Sequence, residues 1–280
     1  MKNAMQLKSF VKNLAQKTGI SSQLVMQNYM LERLLERIAL SKYNENFILK
    51  GGYFIASLFG LETRSTMDID ATIKALPVSE ESIKAMFLEI IALHIDDDIR
   101  FEFSSITEIR EKDEYNGFRL LFFAYYETMK IPVKVDLTTG DCITPQEMRY
   151  SYKLMFEERF LSVYSYNYET LLAEKIETII SRSTENTRMR DFYDVFIFLK
   201  LKSSEINLEI LKSALNRTAQ KRGTKKNLSE WKSVLNALSQ SSIMQTQWTK
   251  YAKTYSYAKN IHFSDCVWAI EEVLEMCHIN

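Results

Sequence analysis

Asp68 and Asp70 stand one residue apart in MDIDATI, residues 67–73, and a third aspartate, Asp136, ends the alternating run KIPVKVD. Residues two apart in an extended chain share a face. Met67, Ile69, Ala71 and Ile73 therefore take one side of the first segment, and Asp68 and Asp70 the other. Carboxylates side by side repel each other, and a divalent cation between them removes that cost. In the second segment Ile131, Val133, Val135 and Leu137 face one way and Lys134, Asp136 and Thr138 the other. A neighbouring strand can thus present Asp136 to the same site. Three carboxylates holding two cations can activate an attacking hydroxyl and stabilise the leaving oxygen of an in-line displacement. The run Asp96-Asp97-Asp98 is set aside as a solvated turn, because its consecutive side chains point in alternate directions.

The cation is constrained by what the chain lacks. His94, His262 and His278 are far apart, and Cys142, Cys266 and Cys277 show no CxxC spacing. A Cys/His zinc site and a disulfide framework are both disfavoured. Oxygen donors point to magnesium or manganese.

Just upstream, Lys50-Gly51-Gly52 opens the helical run YFIASLFGLE. A glycine pair at a helix start lets backbone N–H groups approach phosphate oxygens at the positive helix end. There is no GxxxxGK[ST] and no GxGxxG after a strand, so neither a P-loop nor a dinucleotide fold competes.

These residues need elements to hold them. Residues 5–41 read as two helices, the first stopping at Gly19 and the second starting at a serine cap. A helix over PVSEESIKAMFLEIIALHI precedes strands in DDDIRFEFSSITEIRE, GFRLLFFAYYE and KIPVKVDLTT. From about residue 167 the pattern is helical to the end. The expectation is an α+β chain: a mixed β-sheet lobe with N-terminal helices over residues 1–150, and a helical lobe over 151–280.

Composition is that of an ordinary globular protein, 46% hydrophobic and 26% charged, with zero net charge. The charge is unevenly spread. Glu62 to Glu114 holds fourteen acids against six bases, whereas residues 216–226 carry Arg217, Lys221, Arg222, Lys225 and Lys226 and no acid. Cations and phosphates would suit different places on such a molecule, although a solvated loop fits the basic segment equally well. No secretory h-region and no apolar run of about 20 residues is present, so a cytoplasmic location is expected.

Four stretches, FILKGGYFIASLFGLETRSTMDIDATI, EIREKDEYNGFRLLFFA, IPVKVDLTTGD and ETLLAEKIETIISRSTENTRMRDFYDVFIF, resemble the successive motifs of the AbiE-type abortive-infection toxins. These are DNA-polymerase-β-like nucleotidyltransferases encoded beside an antitoxin in type IV toxin–antitoxin pairs. The resemblance covers about residues 20–200. It implies that Asp68 and Asp70 bind the cations and that Asp136 is the third carboxylate. Lys50, Gly51 and Gly52 would form the phosphate-contacting turn, and Arg119 matches the second motif's arginine. Lys175 would hold the triphosphate, with Asp191 catalytic and Arg188 and Asp194 beside it. Tyr53 follows the glycine pair where such enzymes often have serine or threonine, so Ser57 or Ser65 would have to supply the missing hydroxyl contact.

Blander readings stand beside these. Lys175 could be a surface lysine paired with Glu169 or Glu174, and Asp191 could orient Lys175 or Arg188 rather than act directly. The resemblance implies transfer of a nucleoside monophosphate from a triphosphate to an acceptor hydroxyl, with RNA and the 3′ end of tRNA as the implied acceptor and growth arrest as the outcome. Candidate RNA contacts are residues 216–226 and the stretch with Tyr251, Tyr255, Tyr257, Lys250, Lys253 and Lys259. A small hydroxylated acceptor and a non-catalytic binding protein are the alternatives. A monomer without direct antitoxin contact is expected.

Overall fold

A computed structural model describes residues 3–110 and 116–279 of the chain. Residues 111–115, inside the second motif-like stretch, lie outside the described residues. The chain divides into two compact units, one of Met1–Asp141 with Glu147–Ser165, the other of Cys142–Gln146 with Tyr166–Asn280.

The first unit begins with α1 (Ala4–Thr18) and α2 (Ser22–Leu40). Gly19 ends α1 in the left-handed conformation, and the Ser21 hydroxyl caps α2 by accepting the Leu24 N–H. Next come β1 (Phe47–Lys50), α3 (Gly51–Phe59), β2 (Ile69–Ile73) and α4 (Glu80–Ile91). The strands β3 (Arg100–Arg110), β4 (Asn116–Tyr126), β5 (Met129–Thr139), β6 (Met148–Lys153) and β7 (Phe160–Ser165) complete one seven-stranded sheet. Its order is β3-β4-β5-β2-β1-β7-β6. β2 runs parallel to β5 and antiparallel to β1, and β1 runs parallel to β7, so the sheet is mixed.

The two-residue alternation is carried through in β2 and β5. Ile69, Ala71, Val133, Val135 and Leu137 are buried. α2 and α4 pack on the sheet, with the Phe87 ring against Phe122 and Phe47. Met67 departs from the expected alternation: it is exposed, and β2 begins only at Ile69. The reason lies in α2. The Asn28 side chain donates to the Thr66 carbonyl at 2.8 Å and that of Gln27 to the Met67 carbonyl at 3.1 Å, so these carbonyls serve a helix instead of a strand ladder.

The expected division between residues 150 and 151 falls inside β6, and the β6–β7 pair stays with the sheet. Asp97 is a further correction. It is buried, not solvated: its carboxylate takes two bonds from the Arg37 guanidinium at 2.8 and 2.9 Å and one from the Ile99 N–H. Burying either charge alone would be costly, and the pair with its extra N–H bond offsets that.

The second unit is helical, with α5 (Tyr168–Arg182), α6 (Met189–Lys202), α7 (Leu208–Lys221), α8 (Lys225–Ser229), α9 (Trp231–Gln240), α10 (Ser242–Thr254) and α11 (Phe263–Met276). Asn167 caps α5 and also donates to the Thr144 carbonyl at 2.7 Å, which ties residues 142–146 to this unit. Among the described residues no helix is long and apolar enough to cross a membrane.

Candidate active site

Strand register lines up the charged residues of the first unit. Lys50 on β1 is the cross-strand partner of Asp70 on β2, Asp70 of Asp136 on β5, and Asp136 of Arg119 on β4. A row of Lys50, Asp70, Asp136 and Arg119 thus crosses four adjacent strands. Asp68, just before β2, lies one alternation away from Asp70.

Asp70 is the centre of this row. One carboxylate oxygen accepts the Gly52 N–H at 3.0 Å. Gly51 sits at φ +61°, and a Cβ there would lie 2.7 Å from Cβ of Asp70. Both the left-handed backbone and the close approach demand glycine at 51. Burial, followed by the charges of Asp68 and Asp136, pushes the Asp70 carboxyl up to about 6, against the pull of the Gly52 N–H and Lys50. The negative field of three carboxylates therefore converges on this point, as a hard dication would require.

The other two carboxylates are engaged by cations of the chain. The Arg119 guanidinium clasps Asp136 with bonds of 2.8 and 2.7 Å, and Lys134 Nζ lies 2.5 Å from Asp68 Oδ2 and 4.0 Å from Asp136 Oδ2. Among the described residues no group of three His, Cys, Asp or Glu side chains is already gathered as a metal cluster. The donor set nonetheless fits magnesium or manganese by its oxygen chemistry and its excess of negative charge. A cation entering here competes with Lys134 for Asp68 and with Arg119 for Asp136.

The turn residues fall as follows. Lys50 Nζ lies 2.5 Å from Asp141 Oδ2, an oxygen that also accepts from the Thr138 hydroxyl at 2.6 Å. Tyr53 is buried, its hydroxyl 3.0 Å from that of Tyr152. Ser57 donates to the Phe54 carbonyl within α3, and Ser65 is buried with its carbonyl on Arg64. The hydroxyl beside the glycine turn belongs to Thr66, which donates to Asp68 Oδ1 at 3.0 Å. A Cβ on Gly52 would come within 3.2 Å of that hydroxyl oxygen. Sequence reasoning missed Lys134, Asp141 and Thr66 as members of the site. The alternation that placed Lys134 on the face of Asp136 was the one signal available.

In the second unit, Lys175 on α5 is buried between two carboxylates of α6, 2.8 Å from Asp191 Oδ1 and 2.7 Å from Asp194 Oδ2. The one-turn spacing of Asp191 and Asp194 brings both to a single ammonium. Glu169 accepts the Asn207 N–H and Glu174 the Tyr166 hydroxyl, while the buried Lys175 ammonium is not the surface lysine that the blander reading would have it. Arg188 is exposed at the start of α6, its N–H bonded to the Asn186 side chain.

The two basic stretches differ. In residues 216–226, Arg222 is held by Glu177 and Thr178. The tyrosine stretch forms an aromatic cluster in which Tyr251 is buried and the Tyr255 and Tyr257 rings stack 5.3 Å apart. Beside it lies a cavity of about 810 Å³, lined in part by Trp248, Lys253, Lys259, His262 and Phe263 and by no carboxylate.

Comparison with known proteins bears on the fold and the family. Over 92% of its length the chain superposes on a crystal structure from H. pylori described as a candidate nucleotidyltransferase, covering 96% of that chain at 12% identity and a TM-score of 0.53. A structure of JHP933 from Helicobacter pylori matches 92% of this chain and 93% of its own, again at 12% identity, with a TM-score of 0.54. At such identity these likenesses speak for the fold. No curated protein matches. The family described as "Nucleotidyl transferase AbiEii toxin, Type IV TA system" matches residues 33–276. The chain belongs to this family and is a nucleotidyltransferase of the toxin–antitoxin type.

Proposed function

We propose that the enzyme transfers a nucleoside monophosphate from a nucleoside triphosphate to an acceptor hydroxyl, with RNA, and tRNA 3′ ends in particular, as the acceptor. The observation that carries this reading is the register pairing of Asp70 with Asp136 beside a glycine turn whose Gly52 N–H reaches Asp70. Asp68, Asp70 and Asp136 would hold one or two magnesium or manganese ions. Bound there, the ions would neutralise phosphate charge and lower the pKa of the attacking hydroxyl. Gly51 and Gly52 let the start of α3 lie directly against Asp70 and Thr66, so that a phosphate held by cations on the carboxylates would meet the positive end of that helix. Lys50 and Arg119, at the two ends of the charged row, supply positive charge beside the carboxylates.

The roles of Lys175 as triphosphate ligand, Asp191 and Asp194 as its positioning carboxylates, and Arg188 as a nucleotide contact rest on the motif resemblance. The pinning of Lys175 by two carboxylates supports the positioning role of Asp191 and Asp194. Growth arrest by nucleotide addition to RNA, in abortive phage infection, is the biological reading that follows. The antitoxin of the pair need not touch the enzyme, and we assign the protein to the cytoplasm as a monomer.

The test is a transfer assay with purified protein, magnesium, total tRNA and each labelled triphosphate in turn. Label entering RNA from one triphosphate, and lost in Asp136→Asn, is expected. Triphosphate binding without transfer to any RNA would overturn the RNA acceptor and favour a small hydroxylated molecule.

A further inference from the structure

Lys134 is the feature of the site that neither the motif resemblance nor the carboxylate pattern assigns. It reaches Asp68 at 2.5 Å and stands 4.0 Å from Asp136, about two-thirds buried at its side chain. β5 places it on the face of Asp136, one alternation back along the strand, and its ammonium therefore sits among the carboxylates that a cation would use. We propose that Lys134 is a resident counter-ion that competes with the divalent cation for Asp68, and that it moves onto a phosphate oxygen when cation and triphosphate enter together. The proposal rests on the reading of Asp68, Asp70 and Asp136 as the cation site.

Charge balance sets the competition. Without a ligand, Asp68, Asp70 and Asp136 bring three carboxylates together, and Lys134 and Arg119 answer two of them. A free dication that takes Asp68 removes the closer of the two carboxylates from the Lys134 ammonium, leaves it beside like charge with only the 4.0 Å approach to Asp136, and is therefore opposed when it binds alone. A triphosphate changes this, since it brings several negative oxygens to the same place. Lys134 can then exchange a carboxylate for a phosphate without losing its ion pair. Cation and triphosphate consequently bind cooperatively, and by linkage each raises affinity for the other by the same factor. The arrangement would keep the enzyme from holding a free cation on bare carboxylates. The Thr66 hydroxyl keeps Asp68 in place through the exchange, because its bond is to the other oxygen, Oδ1.

The test is Mn2+ binding followed by electron paramagnetic resonance on the full chain, with and without a non-hydrolysable triphosphate. The variants are Lys134→Met, Lys134→Arg and Lys74→Met. Lys74 pairs with Glu147, away from the three aspartates, so its variant controls for the general loss of one positive charge. Lys134→Met is expected to bind Mn2+ alone about tenfold more tightly than the native protein, and the gain in Mn2+ affinity on adding triphosphate should shrink by a similar factor. Lys134→Arg and Lys74→Met should stay near the native values. Asp68 and Asp136 are partly exposed, and a cooperative thermal melt of Lys134→Met guards against a folding artefact. Mn2+ affinity in Lys134→Met equal to or below native, or equally raised in Lys74→Met, would overturn the role of Lys134 and leave the cation site standing. No Mn2+ binding by any form, with or without triphosphate, would overturn both.

Discussion

Asp70 carries a cost in the cation-free protein. Its carboxyl, raised to about 6 by burial and by Asp68 and Asp136, is harder to ionise in the folded chain than in the unfolded one, where it titrates near 4. A raised acid contributes stability below its unfolded value, and that contribution is lost as pH rises through the folded value. Asp70→Asn should therefore stabilise the cation-free protein at pH 8, by up to about 3 kcal/mol, and have little effect at pH 4. Denaturant melts at the two pH values check this, and a destabilised variant at pH 8 would contradict it. The same substitution should abolish transfer. For the same reason, protons should compete with the cation as pH falls through about 6. Gly51→Ala meets Asp70 directly and is strained at positive φ, so triphosphate binding should fall by at least about tenfold with a stability loss of about 1–3 kcal/mol.

Elements decide which of these residues the sequence could reveal. The alternation in MDIDATI and KIPVKVD made Asp70 and Asp136 legible, since the period of two and an apolar face are local properties. Whether β2 and β5 are neighbours, and in which register, is a property of the sheet, and only that register turns Lys134 and Arg119 into partners of the carboxylates. Asp97 was unreadable for the same reason: its Arg37 partner is 60 residues away in the chain. β6 and β7 are six residues each, and although MRYSYK alternates, their pairing with each other and of β7 with β1 is a property of the sheet and could not be read. α2 also positions the site, through the Asn28 bond to the Thr66 carbonyl. Asn28→Ala leaves that carbonyl buried without its donor and should cost about 1–3 kcal/mol. It should also weaken cation-dependent triphosphate binding severalfold, because the loop before Asp68 is freed. Calorimetric titration compares the two effects, and lost stability with unchanged binding would separate α2 from the site.

At the scale of the whole molecule, charge is partitioned within an overall neutral chain. The sheet unit carries the acidic centre, and between Glu230 and Asp265 the helical unit has no acid at all. The acid-free lining with Lys253, Lys259 and His262 suits phosphate better than residues 216–226 do, where Arg222 is already engaged. If tRNA is the acceptor as proposed, reversing Lys253 and Lys259 to glutamate should weaken its binding, with a shallower salt dependence, more than reversing Lys225 and Lys226. Fluorescence anisotropy across a salt series measures both, and equal losses would contradict the preference. The helical lobe was readable as helices from its periodicity, whereas its cavity arises from how α10 and α11 meet and has no local signature.

The central claim is that Asp68, Asp70 and Asp136 make one cation site beside the glycine turn. The measurement that tests it most directly is triphosphate affinity with and without magnesium, in the native protein and in Asp136→Asn. Affinity that rises with magnesium in the native protein, and no longer does so in the variant, is the predicted result. A magnesium-dependent gain of equal size in both would contradict the assignment.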